Sequence, residues 1–87
     1  MIDIKAYLAD NYPEDEIIIP EGYDEAFIGI GYSYSGVYAC YDYDKVIHII
    51  MGNGSMTLEE AIDFFDFNVI GAYIGENNPV FVERVKE

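Results

Sequence analysis

The side chains with the clearest chemical potential in this chain are its carboxylates. The 87 residues include 17 Asp and Glu against four Lys and Arg, which gives a formal net charge of −13. Residues 1–25 contain eight acidic residues and one lysine, a net charge of −7. Residues 26–56 contain two acidic residues and one lysine, a net charge of −1, and residues 57–87 contain seven acidic and two basic residues, a net charge of −5. Such a surface repels nucleic acid and attracts Lys/Arg-rich proteins. We therefore expect a basic protein partner and no direct nucleic-acid binding.

Two groups of acids are candidates for this partner-binding surface. The first precedes the neutral middle of the chain and comprises Glu14, Asp15, Glu16, Glu21, Asp24 and Glu25. The second comprises Glu59, Glu60, Asp63 and Asp66. On a helical wheel, at about 100° per residue, these four side chains fall within an arc of about 120°.

The second group has a spacing suited to imitating a phosphate backbone. Helical rises of about 6 and 4.5 Å separate Glu59 from Asp63 and Asp63 from Asp66, and phosphates along one DNA strand rise by about 3.4 Å. Taken alone, this helix face is more typical of an ordinary solvated surface. The net charge of −13 favours the binding interpretation, because solubility of a small domain requires a magnitude of only about 2 to 8.

Aromatic side chains form a second candidate surface, a cluster of tyrosines near a predicted hairpin: Tyr23, Tyr32, Tyr34, Tyr38, Tyr41 and Tyr43. Tyrosine is favoured in strands and also at interfaces. We expect most of these rings to pack in the domain. Tyr34 lies at the hairpin tip, where we expect it to be exposed and available to a partner.

Enzymatic chemistry has little support in the sequence. His48 is the one histidine and is expected to face solvent, and Cys40, the one cysteine, falls on a predicted strand. Asp42 and Asp44 resemble helix caps more than metal ligands, because the glycine and the final glutamate of a calcium loop are missing. We expect no catalytic residue, no bound metal and no cofactor. A metal-dependent enzyme using clustered carboxylates is the weakest of three alternatives.

The elements that must position these side chains follow from periodicity. Residues 3–11 predict a first helix with Ile4, Tyr7 and Leu8 on its apolar stripe, and Ile17–Ile19 predict a short edge strand before Pro20. Alternation with period two between Ala26 and Tyr43 predicts a β-hairpin that turns at residues 33–36. Its first strand is expected to place Ile28, Ile30, Tyr32 and Tyr34 on one face and the glycines on the other.

Capping signals predict two more helices. Asp42 or Asp44 begins one that ends at Gly52 or Gly54. Thr57-Leu58-Glu59-Glu60 matches a capping box and begins the other, with Leu58, Ala61, Ile62 and Phe65 on its apolar face. Residues 69–74 end this helix or begin a strand, and residues 80–85 predict a closing strand. The sequence thus predicts one α+β domain spanning residues 1–87, a small antiparallel sheet with about three short helices packed on one side.

Composition also bears on localisation. The chain is 52% hydrophobic and 16% aromatic, which is typical of a folded domain and not of a disordered acidic tail. Its N-terminus lacks a signal-peptide pattern, no stretch is apolar for the roughly 18 residues of a membrane span, and a lone cysteine cannot form an internal disulfide. We expect a cytoplasmic protein that does not bind membranes.

One part of the chain resembles a known group of proteins. Residues 41–47, 56–61 and 65–76 resemble small acidic proteins of unassigned function from phages and prophages, and Phe67-Asn68-x-x-Gly71-Ala72-Tyr73 is the distinctive portion. The resemblance brings no catalytic residue. It implies a setting in which compact acidic proteins block host nucleic-acid enzymes, as anti-CRISPR proteins do.

These observations favour a non-enzymatic, phage-encoded inhibitor in the host cytoplasm. Its acidic surface would mimic DNA and occupy the nucleic-acid-binding surface of a host defence effector. The alternative is a small assembly domain that forms a homo-oligomer through the near-neutral, tyrosine-rich hairpin.

Overall fold

The computed structural model describes residues 3–52, 55–71 and 77–85. Three α-helices, three strands and two short non-α helical segments make up this part of the chain, which confirms the α+β class. In chain order they are α1 (Ile4–Asn11), a 3₁₀ helix (Asp24–Ala26), β1 (Phe27–Ser33), β2 (Gly36–Asp42), α2 (Tyr43–Met51), α3 (Leu58–Phe65), a π-helical turn (Asp66–Ile70) and β3 (Val80–Val82).

The sheet has the order β1-β2-β3 and is mixed. The predicted hairpin is confirmed, since β1 and β2 pair antiparallel. β3 instead runs parallel to β2, with Cys40 opposite Val80 and Asp42 opposite Val82. A parallel pair needs a long crossover connection. Here residues 43–79, which include α2 and α3, lie between the two strands, so the sheet is not antiparallel throughout.

Because of a β-bulge, the side chains of β1 lie on different faces from those predicted. The pairing register shifts between Phe27, which lies opposite Tyr41, and Gly29, which lies opposite Cys40. The extra residue changes the alternation, so Phe27 packs against the core and Ile28 is exposed. Gly29 has φ +150°, a conformation that residues with a Cβ rarely adopt. Strict period-two alternation cannot anticipate this inserted residue.

The core lies on the sheet face that carries Ala39 and Tyr41. Both side chains are fully buried, and they form one cluster with Val46 of α2 and Phe65 of α3. Tyr41 contacts the Phe27 and Phe81 rings at centroid distances of 5.7 and 5.9 Å. Phe65 contacts Phe81 at 4.9 Å in an edge-to-face arrangement. Aromatic contacts therefore join all three strands to α3.

Side-chain caps begin all three helices, and the caps of the second and third helices were predicted. The Asp3 carboxylate accepts from the Ala6 backbone N–H, and the Asp42 carboxylate accepts from that of Lys45. Thr57 and Glu60 form the full capping box, with the Thr57 N–H donating to Glu60 Oε1 at 2.9 Å and the Glu60 N–H donating to Thr57 Oγ1 at 3.2 Å. α2 ends at Gly52. Local hydrogen bonding thus fixes where the helices start.

Two apolar positions in the predicted stripes point outward instead. In α1, Ile4 and Leu8 are buried while Tyr7 is exposed, and in α3, Leu58 is 56% exposed. Leu58 is the first residue of its helix, where the turn that would lie over the core is incomplete. Ala61 and Phe65 supply the buried face of α3.

Other segments also differ from expectation. Residues 17–19 form no strand; Ile18 N–H donates one backbone bond to the Asn77 carbonyl oxygen, and Pro20, which lacks an N–H, follows. The helix that begins at Leu58, by contrast, continues as the π-helical turn and ends at Ile70, which agrees with the first of the two alternatives predicted for residues 69–74. Residues 72–76 lie outside the described residues. The closing strand covers Val80–Val82 and stops before residue 85.

A close contact explains why one position of β1 is occupied by glycine. A Cβ built on Gly31 would lie 2.7 Å from Cys40 Sγ, so the space beside this glycine is filled by a side chain of the paired strand.

Replacing Gly31 by Ala should therefore lower the free energy of unfolding by about 1 kcal/mol, the low end of overpacking costs. The loss should largely disappear in a Cys40→Ala background, because the clashing sulfur is then gone. Urea denaturation of both single variants and the double variant measures this coupling. An equal loss in both backgrounds would contradict the proposed contact.

Candidate functional site

All ten acids of the two predicted groups are solvent-exposed. None of them pairs with a cation within the described residues. An ion pair that does occur there joins Arg84 to Asp42 at 3.7 Å. Among residues 3–52, 55–71 and 77–85, no cation thus neutralises the charge of either group.

The first group lies on the connection between α1 and β1, where apolar residues turn inward and acids turn outward. The segment bends after α1, with the Asp15 N–H donating to the Tyr12 carbonyl oxygen at 3.2 Å. Ile17 then packs against the core and Pro20 is buried. Anchoring at these two positions leaves Glu14, Asp15, Glu16 and Glu21 on the outside, and Asp24 and Glu25 begin the 3₁₀ helix.

The second group lies on the outer face of α3 because Ala61 and Phe65 occupy the inner face. Glu59, Glu60 and Asp63 belong to α3 itself, and Asp66 begins the π-helical turn. Glu60 differs from the others, since its carboxylate accepts the Thr57 N–H in the capping box. Glu59, Asp63 and Asp66 are the carboxylates of this row that remain available to a partner.

Two acids of the first group, Asp24 and Glu25, and the helix that carries the second group lie beside opposite faces of α2. Asp24 and Glu25 line one groove with Ile49, whereas α3 lines another with Ile47 and Met51. At about 100° per residue, Ile49 lies roughly opposite the direction shared by Ile47 and Met51. Between them, the exposed side of α2 carries Lys45 and His48. The acids of the 3₁₀ helix and those of α3 are therefore two surfaces that flank α2.

The structure also places near Tyr43 an acid that the sequence-based prediction missed, Glu83. Burial, followed by the charges of Glu83, Asp66 and Asp44, raises the pKa of Tyr43, and Glu83 and Asp44 line the same groove as this ring. Glu83 follows β3, and the parallel register that sets Val82 beside Asp42 brings it next to Tyr43. No local pattern in the sequence signals this approach, because it depends on strand pairing.

The tyrosine-rich hairpin is split between core and surface. Tyr41 is fully buried, Tyr34 at the tip is fully exposed as predicted, and Tyr32 is 70% exposed. The Tyr32 hydroxyl is hydrogen-bonded to that of Tyr12 at the end of α1. This contact ties the hairpin to α1.

The expected absence of catalytic chemistry stays a prediction. His48 is exposed on α2, as expected, and Cys40 lies on β2, where burial raises the pKa of its thiol; a raised pKa lowers the thiolate population that nucleophilic attack requires. In residues 3–52, 55–71 and 77–85, no group of three or more His, Cys, Asp or Glu side chains could hold a metal ion. Within the same ranges no helix is both long and apolar enough to cross a membrane.

Comparison of the chain with models of protein families, with curated proteins and with solved structures gives no match. The resemblance to phage and prophage proteins stays a prediction. The function proposed below rests on the geometry of the exposed carboxylates and of the hairpin.

The contact between Tyr12 and Tyr32 predicts a specific pH dependence. Their hydrogen bond is the main reason that the pKa of Tyr12 is raised to about 12. The folded protein then holds this proton more tightly than the unfolded chain, so the stabilisation is fully present below pH about 10 and is lost as the pH rises toward 12. Tyr32→Phe should move the ionisation of Tyr12 to lower pH, measured by the ultraviolet absorbance of tyrosinate.

Tyr34→Phe is the matched control, because it removes one exposed hydroxyl from the same hairpin without touching this bond. It should leave the high-pH ionisation of Tyr12 in place. If that phase also persists unchanged in Tyr32→Phe, the hydrogen bond does not set the pKa of Tyr12.

Proposed function

We propose that this protein is a non-enzymatic inhibitor whose exposed carboxylates occupy the nucleic-acid-binding surface of a basic protein. The observation that carries the proposal is the display of all ten predicted acids on the surface, without a cation partner among the described residues. A surface of this kind lowers the free energy of contact with a Lys/Arg-rich groove, and it accelerates encounter with such a partner.

The row on α3 is the part best suited to imitate a phosphate backbone. Its available carboxylates, Glu59, Asp63 and Asp66, are held by a helix whose start is fixed by the capping box and whose inner face is buried. A rigid row loses little conformational entropy on binding. The 3₁₀-helix acids across α2 offer a second set of contacts to the same partner.

The resemblance to phage proteins suggests the biological setting. We propose that the protein is phage-encoded, acts in the host cytoplasm, and blocks a nucleic-acid-binding defence effector in the manner of an anti-CRISPR protein. The partner follows from charge: a groove that binds DNA or RNA is lined with Lys and Arg, and this chain presents the opposite charge.

Capture from a bacterial lysate at low salt, with elution by increasing salt, tests the class of partner. The retained protein should bind nucleic acid, and DNA or RNA should compete with the inhibitor for it. Binding should weaken strongly at about 0.5 M salt, which shortens the Debye length from about 10 Å at 0.1 M to a few ångströms. Retention of proteins that do not bind nucleic acid, or an affinity insensitive to salt, would overturn the proposal.

Charge reversal at Glu59, Asp63 and Asp66 should weaken binding to that partner at least about tenfold. Each exposed ion pair contributes about 0.2–1 kcal/mol, and a lysine at each position replaces attraction by repulsion. The affinity can be measured by isothermal titration calorimetry, with circular dichroism to confirm that α3 is retained.

A matched pair of variants separates local contacts from net charge. Asp63→Asn with Asp66→Asn, and Ala6→Lys with Ala9→Lys on exposed positions of α1, each change the formal charge from −13 to −11. The first pair should weaken binding by about three- to tenfold, and the second should have a much smaller effect. Equal effects of the two pairs would show that binding depends on net charge alone. The proposal that the α3 carboxylates contact the partner would then be wrong.

A second candidate function, self-association through the hairpin, is favoured by a separate observation. Residues 26–41 contain no charged side chain, and within them Tyr34 is fully exposed and Tyr32 largely so. In a chain of net charge −13, this is a stretch where two copies can meet without direct repulsion between like charges.

Light scattering distinguishes this candidate from the first. A hairpin-mediated homo-oligomer should dissociate on Tyr34→Ser, because the exposed ring would supply most of the buried apolar area. Tyr7→Ser, which removes a 40% exposed tyrosine from α1, is the control and should leave the mass unchanged. A monomer at all concentrations, with a basic partner retained from lysate, would exclude the assembly function.

A further inference from the structure

A groove between α2 and α3 combines an apolar floor with acidic walls. It has a volume of about 290 Å³, and its floor is formed by Ile47 and Met51 of α2 and by Leu58 and Ile62 of α3. Leu58 is 56% exposed at this groove. The groove therefore offers apolar surface that residues 3–52, 55–71 and 77–85 leave partly uncovered.

Carboxylates stand where the groove opens. Glu83, which follows β3, and Asp44 of α2 both line it, and Asp66 lies close enough to act on the adjacent Tyr43 ring. Glu83 is exposed and pairs with no cation of the described residues. Glu83 and Asp44 come from different segments of the chain, so negative charge lines the groove from more than one element.

We propose that this groove binds the side chain of a lysine from a protein partner. The aliphatic stem would lie on the floor formed by the isoleucines, Met51 and Leu58, and the ammonium group would lie beside Glu83. Lysine commonly buries its methylene stem on apolar surface while its charged end remains at the solvent boundary.

The arrangement of acids favours lysine over arginine. A guanidinium group is a planar fork that is best matched by a single carboxylate in a bidentate pair, whereas an ammonium group is a compact charge with three donors. Acids contributed by α2 and by the segment after β3 suit the compact charge. His48 also lines the groove.

This inference rests on the proposed function for the origin of the lysine, a basic partner protein, but the groove can be tested without that partner. The probe is Nα-acetyl-lysine methylamide, titrated into the full chain while the methyl resonances of Met51, Leu58 and Ile62 are followed by NMR. Three comparison probes carry norleucine, which has an aliphatic stem without the ammonium group, diaminopropionate, which has a stem of one methylene, and arginine.

The lysine probe should shift these methyl resonances and bind more tightly than all three comparisons. The norleucine probe should bind about threefold more weakly, the size of one exposed ion pair. The diaminopropionate probe should bind about tenfold more weakly, because roughly half-burial of three methylenes is lost.

Two matched pairs of variants locate the binding. Glu83→Gln should weaken the lysine probe about threefold, while Glu14→Gln, which removes the same charge elsewhere, should have no effect. Leu58→Ser should weaken it, while Val85→Ser, which removes a 93% exposed apolar side chain, should not. All four positions are exposed, so these substitutions leave the core intact.

Equal binding of the norleucine and lysine probes, tighter binding of arginine, or equal effects of the Glu83 and Glu14 variants would each overturn the lysine site. None of these outcomes depends on the salt-eluted partner. If the lysate capture fails but the lysine probe binds as expected, the proposed function is overturned and the lysine site is supported. If the lysate capture succeeds but the lysine probe does not bind, only the lysine site is overturned.

Discussion

Contacts among five aromatic rings hold this domain together. Tyr41, fully buried at the end of the central strand, touches Phe27 of β1 and Phe81 of β3, while Phe65 of α3 touches Phe81 and Tyr43. Each ring buries a large apolar area, and edge-to-face contacts add about 0.5–1.5 kcal/mol per pair beyond that area. A charge of −13 repels itself on compaction. Every other feature of the molecule depends on this cluster, because it joins the strands to the helices against that repulsion.

The same packing determines where the acids lie. Ala61 and Phe65 direct the inner face of α3 toward the rings, which leaves Glu59, Glu60 and Asp63 on the outside. Of these, Glu60 stabilises the start of the helix through the capping box. The row therefore both stabilises α3 and presents negative charge to the solvent. Like charges one turn apart repel by a few tenths of a kcal/mol per pair. A partner with a basic groove would remove this repulsion on binding.

α2 sets the relation between the surfaces. It packs between the 3₁₀ helix and α3, and its outer side carries Lys45 and His48. A partner that covers both acidic surfaces must therefore bridge this helix. The groove between α2 and α3 lies between the two acidic surfaces. A partner lysine bound beside Glu83 would therefore be compatible with the proposed inhibition, and it would also fix the position of the inhibitor on its target.

Local chemistry in the sequence determined the helix starts at Asp3, Asp42 and Thr57, the hairpin, and the exposure of the acids and of Tyr34, since caps, turn residues and charge act over a few neighbouring residues. The tertiary structure alone decided the bulge that turns Ile28 outward, the parallel pairing of β3, the outward position of Leu58 and the meeting of Glu83 with Tyr43. These features depend on which distant segments pair and pack. No window of sequence contains that information, because the pairing energy is shared between residues about forty positions apart, such as Asp42 and Val82.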